Sequence, residues 1–318
     1  YNTADPVDGI DNDGDGYTDN YFGWNMASNN NDVYGPGALH GTFVAGIASA
    51  QNDNMMDGAG VGFKTKFLPI RCSTNGASII NGERGIIYAA DHSCVAVNCS
   101  WGGFGPSQFS QDAVDYATFT RNCLVVAAAG NNNDEARFFP ASYQHVISIA
   151  GSNQTDNKWS GSSFGSLVDL STPGDLIYSI YVGDSSAMIY SGGTSEAAPQ
   201  ATAGAALVKK QFPFLSAMQI GERLRVTSDD IDTVTGNAPY FHKLGKGRMN
   251  LYRALTDSAK SVRAFDIRIT DTNDDAFGLN DTLRISAVFT NYLSSLSNLN
   301  IKLTTNSSFI TFIDSTFN

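Results

Sequence analysis

Four short apolar runs recur through the middle of the chain: Phe67-Leu68-Pro69-Ile70, Cys94-Val95-Ala96-Val97-Asn98, Cys123-Leu124-Val125-Val126-Ala127 and His145-Val146-Ile147-Ser148-Ile149. Within each, apolar side chains follow one another instead of alternating with polar ones. A strand reads this way when both of its faces are buried, as in a parallel sheet covered by helices on either side. Helical stretches between the runs, over about 42–150, complete an α/β pattern. Two further helices are expected, one at about 195–210, where Ala197, Ala198, Ala201, Ala205 and Ala206 permit close packing, and one over 217–226. Near residue 260 the period changes. Phe265, Ile267 and Ile269 alternate with polar residues, as do Leu283, Ile285 and Ala287, followed by Leu299, Ile301 and Leu303. This is the opening of an antiparallel sandwich, with three or four strands where about seven would complete one.

The 318 residues suit one large domain and a smaller one. A formal charge of −11 leaves no basic stripe to neutralise phosphates, so nucleic acid is excluded as a partner. No run of 18 apolar residues exists to make a transmembrane segment. Charged residues are only 16%, while Gly, Asn and Asp are abundant and 19 Phe and 13 Tyr supply a core, a balance typical of loop-rich extracellular enzymes. No signal peptide precedes Tyr1, so export is inferred, and the sequence is read as starting inside a longer precursor. Four cysteines lack zinc-site spacing and are too few for a disulfide scaffold.

Three segments carry chemistry. His40-Gly41-Thr42-Phe43-Val44-Ala45-Gly46 sets a histidine at the start of an apolar helix. Ala127-Ala128-Ala129-Gly130-Asn131 ends a buried strand with a side-chain amide at its C-terminal tip, where ligands bind in open α/β sheets. Gly192-Gly193-Thr194-Ser195-Glu196-Ala197-Ala198-Pro199 sets a serine at a helix N-terminus, where the helix dipole favours developing negative charge. A serine hydroxyl, an imidazole to take its proton and an amide to hold an oxyanion are the parts of acyl transfer. The catalytic candidates are therefore Ser195, His40 and Asn131. Taken singly, each has a plainer role: a helix cap for His40 and Ser195, a turn residue for Asn131.

These segments resemble the subtilisin-like serine peptidases. The histidine motif of that family, His-Gly-Thr-His-Val-Ala-Gly, is similar to residues 40–46 with Phe43 in place of the second histidine. Its Ala-Ala-Gly-Asn matches residues 128–131, and its Gly-Thr-Ser-Met-Ala-Ala-Pro matches residues 193–199 except at Glu196. Asn98-Cys99-Ser100-Trp101-Gly102 and Leu244-Gly245-Lys246-Gly247-Arg248-Met249-Asn250 extend the resemblance over roughly residues 8–255. It implies that Ser100, Trp101 and Gly102 pair with substrate backbone as an added strand. It also implies that Ala128, Ala129 and Gly130 wall a pocket for a large apolar side chain. The implied organisation is a peptidase domain over 1–260 and the beginning of an Ig-like module over 261–318. That module is a candidate for spacing, surface attachment or substrate binding.

The departures are as informative. The family's catalytic aspartate, in Asp-Thr-Gly or Asp-Ser-Gly at the end of a strand before the histidine, has no counterpart among residues 1–39. The resemblance makes that strand central to the sheet, so its absence leaves a slot between the Phe67 and Val95 strands, to be filled by upstream or separately supplied sequence. Gly192 stands where the family has Ser. The resemblance also sets the Cys94 and Cys123 strands side by side, leaving a disulfide and two buried thiols as equal alternatives.

The acidic stretch 8–19 has its own pattern and is expected to form no core. Asp11, Asp13 and Asp15 at alternate positions, then Gly16, Tyr17 and Asp19, match the first nine positions of an EF-hand-type calcium loop, with Phe22 where the closing Glu belongs. Calcium is the cofactor expected, with the simple alternative of a solvated turn. Asn153, Asn280 and Asn306 begin Asn-X-Ser/Thr sequons. The leading expectation is a secreted or cell-surface endopeptidase acting on protein or peptide substrates. Its rival is a catalytically silent adhesion or structural protein that keeps the fold, motivated by the missing aspartate and the changes at 192 and 196.

Overall fold

A computed structural model describes residues 2–35, 38–181, 188–271, 277–296, 298–305, 307–313 and 316–317. Asn306 lies outside the described residues. The chain divides into two compact units, residues 1–257 and 258–318.

In chain order the first unit contains β1 (Trp24–Asn25), α1 (Leu39–Ser49), β2 (Ile70–Arg71), α2 (Gly82–Asp91), β3 (Ala96–Cys99) and α3 (Gln108–Asp115). There follow β4 (Leu124–Ala128), β5 (Val146–Ser152), β6 (Leu170–Pro173), β7 (Ile177–Ile180), β8 (Met188–Ser191), α4 (Thr194–Gln211), α5 (Ala217–Val226) and α6 (Leu251–Thr256). Strands β3, β4, β5 and β6 form one all-parallel sheet in that order. All five residues of β4 are buried. Leu124, Val126 and Ala128 pack with Ile147, Ile149, Leu170 and the alanines of α4 on one face. Val125 and Ala127 pack with Ile86 and Ala90 of α2 and Val114 of α3 on the other. This two-sided burial is what the unbroken apolar runs require.

Beside this sheet, β1 and β2 form a separate parallel pair, Trp24 opposite Ile70 and Asn25 opposite Arg71. No ladder joins β2 to β3 among the described residues, and Ala96, Val97 and Asn98 are only half-buried where β4 is wholly so. The sheet is thus interrupted between the Ile70 and Ala96 strands. The run at Phe67 is strand only from Ile70. Pro69 has no N–H to give to a ladder, although its carbonyl accepts from Trp24 N–H at 3.2 Å.

The acidic stretch contributes to a core after all. Tyr17 packs edge-on against Trp24 and Tyr88, ring centroids 5.1 and 4.8 Å away, and Trp24, Met26 and Tyr88 are buried around it. Alternation of carboxylates hid this, because the anchoring aromatics lie at its end and beyond it. All four cysteines are free thiols, which removes the Cys94–Cys123 disulfide as a feature of this structure. Burial raises the Cys72 and Cys94 thiols to about 12 and about 11.

The second unit holds two antiparallel pairs. β9 (Val262–Asp271) pairs with β10 (Leu283–Asn291), the register shifting between Ser286 and Val288. β11 (Ile301–Lys302) pairs with β12 (Thr316–Phe317).

Candidate active site

β4 ends at Ala128, and Gly130 follows at φ 111°, a left-handed conformation that glycine alone adopts without strain. The turn brings Asn131 to the N-terminus of α4. There the Asn131 side chain accepts two hydrogen bonds at Oδ1, from Thr194 N–H at 2.9 Å and from the Thr194 hydroxyl at 2.8 Å. A backbone N–H needs an acceptor, which the NH2 of an amide is not, so the amide orientation follows, and Nδ2 makes no hydrogen bond among the described residues. Thr194 is wholly buried and also takes a hydrogen bond from Gly130 N–H at 3.2 Å.

Ser195 is the second residue of α4. Its hydroxyl donates to the Ser100 carbonyl at 3.3 Å, and the Ser100 hydroxyl donates back to the Ser195 carbonyl at 2.7 Å. The exit of β3 and the start of α4 are thereby fastened together. The Ser195 backbone N–H, one of the orphan donors of a first helical turn, has no partner among the described residues. Ser195 and Asn131 line one cleft of about 210 Å³ with Trp101, Phe104, Ala128, Gly130, Asn132, Phe138 and Thr194. The Phe104 and Phe138 rings meet edge to face at 5.6 Å. A Cβ at Gly102 would collide with the Phe138 ring, so Gly102 supports this aromatic wall from behind.

His40 lies in the first turn of α1, whose Gly46 approaches Ser179 and Ile180 of β7. α1 packs on α4, so the helices carrying His40 and Ser195 are neighbours. The His40 imidazole is exposed and makes no hydrogen bond among the described residues. Glu196 is buried, and its Oε1 accepts from the Ser191 hydroxyl at 3.0 Å. The Glu196 carboxylate is thus tied to the end of β8.

Of the expected substrate residues, Trp101, Ala128 and Gly130 line the cleft. Ser100 holds Ser195, Gly102 backs Phe138, and Ala129 is buried, its N–H bonded to the Ile149 carbonyl at 2.9 Å. Sequence reasoning missed Thr194, although it sits inside the serine motif. It also missed Phe104 and Phe138, which belong to no motif.

The acidic loop regroups the expected ligands. Carboxylate oxygens of Asp5, Asp11 and Asp13 lie within 4.8 Å of one another. Asp15 instead meets the His92 ring Nε2 at 2.9 Å and accepts from Asn20 Nδ2 at 2.8 Å. Asp19 accepts from the Asp8 and Gly9 N–H groups at 2.8 and 2.7 Å, closing the loop on itself. The Tyr17 ring packs in the aromatic cluster. The EF-hand spacing assumed that the alternate carboxylates converge, whereas His92 on the far side draws Asp15 away.

A serine hydroxyl and a side-chain amide in one cleft, at the C-terminal edge of a helix-covered parallel sheet, are the parts of a serine-hydrolase site on an α/β fold. The comparisons agree. Residues 8–252 match the model of the Subtilase family, Peptidase_S8. Thermitase of Thermoactinomyces vulgaris is 37% identical over 238 residues, covering 73% of this chain and 80% of thermitase. A thermophilic serine proteinase of Bacillus sp. (strain AK1) is 37% identical over 219 residues, covering 68% of this chain and 52% of that protein. Among solved structures, a protease of Pseudoalteromonas arctica PAMC 21717 aligns with a TM-score of 0.62 at 28% identity, over 68% of this chain and 70% of that one. The chain belongs to the subtilase family of serine-type endopeptidases. No helix of the described residues is long and apolar enough to cross a membrane.

Proposed function

We propose that this chain cleaves peptide bonds of extracellular protein or peptide substrates with Ser195 as nucleophile. The observation that carries the reading is the pinned Asn131 amide. With Oδ1 held by Thr194, Nδ2 is the remaining polar group of a residue that lines the same cleft as Ser195, whose N–H has no partner among the described residues. In this reading Ser195 Oγ attacks the substrate carbonyl carbon and its proton passes to His40. The carbonyl oxygen becomes an oxyanion held by Asn131 Nδ2 and Ser195 N–H, and His40 then protonates the leaving amine. The carboxylate that orients His40 is assigned to an aspartate on a strand fitting the gap between β2 and β3, where the sheet is interrupted.

Trp101 and Gly102 make no main-chain hydrogen bond among the described residues, which suits pairing with an extended substrate. An apolar cavity of about 150 Å³ accepts benzene. The 210 Å³ cleft, with Trp101, Phe104 and Phe138 opposite Ala128 and Gly130, therefore suits one aromatic or leucine-sized side chain. The Asp5, Asp11 and Asp13 oxygens are a hard donor set that suits a structural calcium ion. The antiparallel unit from residue 258 is read as the start of an Ig-like module serving attachment or substrate capture at the cell surface. The test is labelling by a fluorophosphonate probe of the protein as its cell produces it. Ser195 should be modified and Ser195→Ala should not, and an unlabelled Ser195 would end the reading.

A further inference from the structure

Behind the cleft an ammonium group is buried without a counter-ion. Lys158 is 7% exposed. Its Nζ donates to Asn133 Oδ1 at 2.7 Å and to the carbonyls of Trp159 and Ser162, both at 3.0 Å, and Ser160 at 3.3 Å. The Tyr240 and Phe164 rings lie 4.8 and 5.4 Å from it. No carboxylate pairs with it among the described residues, and burial lowers its pKa below the ordinary lysine value. An ammonium taken from water needs replacement acceptors. Here three carbonyls of one loop and one side-chain amide share its three protons, so the turn at 159–162 is wrapped around the charge.

The same turn grips the segment that bears the oxyanion amide. Ser163 N–H donates to the Gly130 carbonyl at 2.9 Å, Asn132 N–H to Ser163 Oγ at 3.3 Å, and Asn133 N–H to the Gly161 carbonyl at 3.0 Å. Phe164 N–H reaches the Asp134 carbonyl at 2.9 Å. Asn131 stands in the middle of this strap. One face of it is fixed by Thr194, and the chain on both sides is fixed by a loop that the ammonium organises.

We propose that Lys158 is a positioning residue, a tethered monovalent cation that clamps residues 159–163 onto residues 130–134 and so holds Asn131 in register with the Ser195 N–H. Its link to catalysis rests on the peptidase reading above, whereas the clamp itself does not.

The experiment is Lys158→Ala in the full chain, followed by hydrogen exchange at Asn132 and Asn133 and by steady-state kinetics on a peptide amide. The expected result is loss of protection at those two amides with β4 and β5 still protected. A displaced oxyanion donor should lower kcat by about ten- to a hundredfold with KM within about twofold. Ethylammonium or potassium ions, which refill the oxygen cage, should restore both readouts, and tetramethylammonium, which offers no N–H and is too bulky, should not. Retained protection at Asn132 and Asn133 in Lys158→Ala overturns the proposal. So does a loss expressed in KM alone. If the variant unfolds, Asn133→Ala decides: it cuts the one side-chain link to the ammonium at an exposed position. Weakened protection at Asn132 and a lower kcat support the clamp, and unchanged values of both reject it. If the unaltered protein fails to react with a fluorophosphonate, the peptidase reading fails and the exchange data still decide the clamp.

Discussion

Asn131 and Thr194 are 63 positions apart in sequence, yet both hydrogen-bond donors of Thr194 converge on one oxygen, Asn131 Oδ1, at 2.9 and 2.8 Å. The consequence is directional. An amide whose oxygen is held twice keeps that oxygen on Thr194 and leaves Nδ2 as its remaining polar group, which in the proposed reaction is the donor a developing oxyanion needs.

Replacing Asn131 by Ala should lower kcat by about 10²–10³ with little change in KM, the loss seen when one oxyanion donor is removed. Thr194→Val keeps the backbone bond and deletes the hydroxyl one, also leaving Gly130 N–H without its acceptor. One neutral hydrogen bond is worth about 1 kcal/mol, so kcat should fall by about five- to tenfold. Thr194→Ser should stay near the parent. Kinetics on a small peptide amide measure all three, and equal rates for Asn131→Ala and parent would exclude the oxyanion role.

The aromatic wall makes a separate claim about selectivity. Gly102→Ala places a methyl group where the Phe138 ring and the Phe139 carbonyl already stand, so this wall of the cleft must shift. The ratio of kcat/KM for a phenylalanine substrate over an alanine substrate should fall in this variant. Phe138→Ala opens the same wall and should raise the relative turnover of tryptophan substrates. An unchanged ratio in both variants would show that side-chain selection occurs elsewhere.

The sheet was legible in sequence because its central strands are buried on both faces, and β4, Leu124 to Ala128, carries no polar residue to break the pattern. α5 could be placed because Ser216 begins a capping box with Gln219 ahead of an amphipathic run. The short β1 could not, since two residues have no period and Trp24 follows a stretch dominated by carboxylates. At the site, the motif residues were visible and their supports were not. Phe138 reaches the cleft, and Lys158 the loop behind it, by chain folding that follows no local repeat. In the acidic loop, spacing specifies which carboxylates can converge, Asp11 and Asp13 do so with Asp5, and Asn20 and His92 engage Asp15.

Asp229 gathers the end of the first unit. Its carboxylate accepts from Asn250 at 2.9 Å, Arg248 at 2.9 Å and Arg253 at 3.2 Å. Desolvation raises its pKa, but these hydrogen bonds and the positive charge of Arg248 outweigh it and the net shift is downward. A carboxylate with a depressed folded pKa binds fewer protons folded than unfolded, so its contribution to stability is present above the unfolded value of about 4 and is lost as pH falls through the folded one. Denaturant midpoints should therefore decline below about pH 4 in the parent. In Asp229→Asn the midpoint at pH 7 should be lower and the acid decline shallower. Parallel acid limbs in the two proteins would show that other carboxylates govern it.

The Asp5, Asp11 and Asp13 group yields the sharpest ion test because its members differ in exposure. Asp5 is fully buried and accepts from Asn12 and Asn20 N–H at 2.8 Å each, so it is a structural residue with or without an ion. Asp13 is exposed. Calcium binds oxygens at about 2.3–2.6 Å, which puts ligands on opposite sides of one ion about 4.6–5.2 Å apart, and the three carboxylates span no more than 4.8 Å. Saturating calcium at about 100 times its dissociation constant should stabilise the parent by about 2.7 kcal/mol, read as a rise in Tm that a chelator reverses. Asp13→Asn removes one negative ligand while keeping the side chain's size. It should abolish most of the calcium response, while the calcium-free Tm falls only slightly, because the hydrogen bonds from Asn2 and the Asp15 N–H that hold the Asp13 pKa down are made to an exposed carboxylate. A calcium-free Tm that drops while the calcium response survives would mean that Asp13 serves the loop and not an ion.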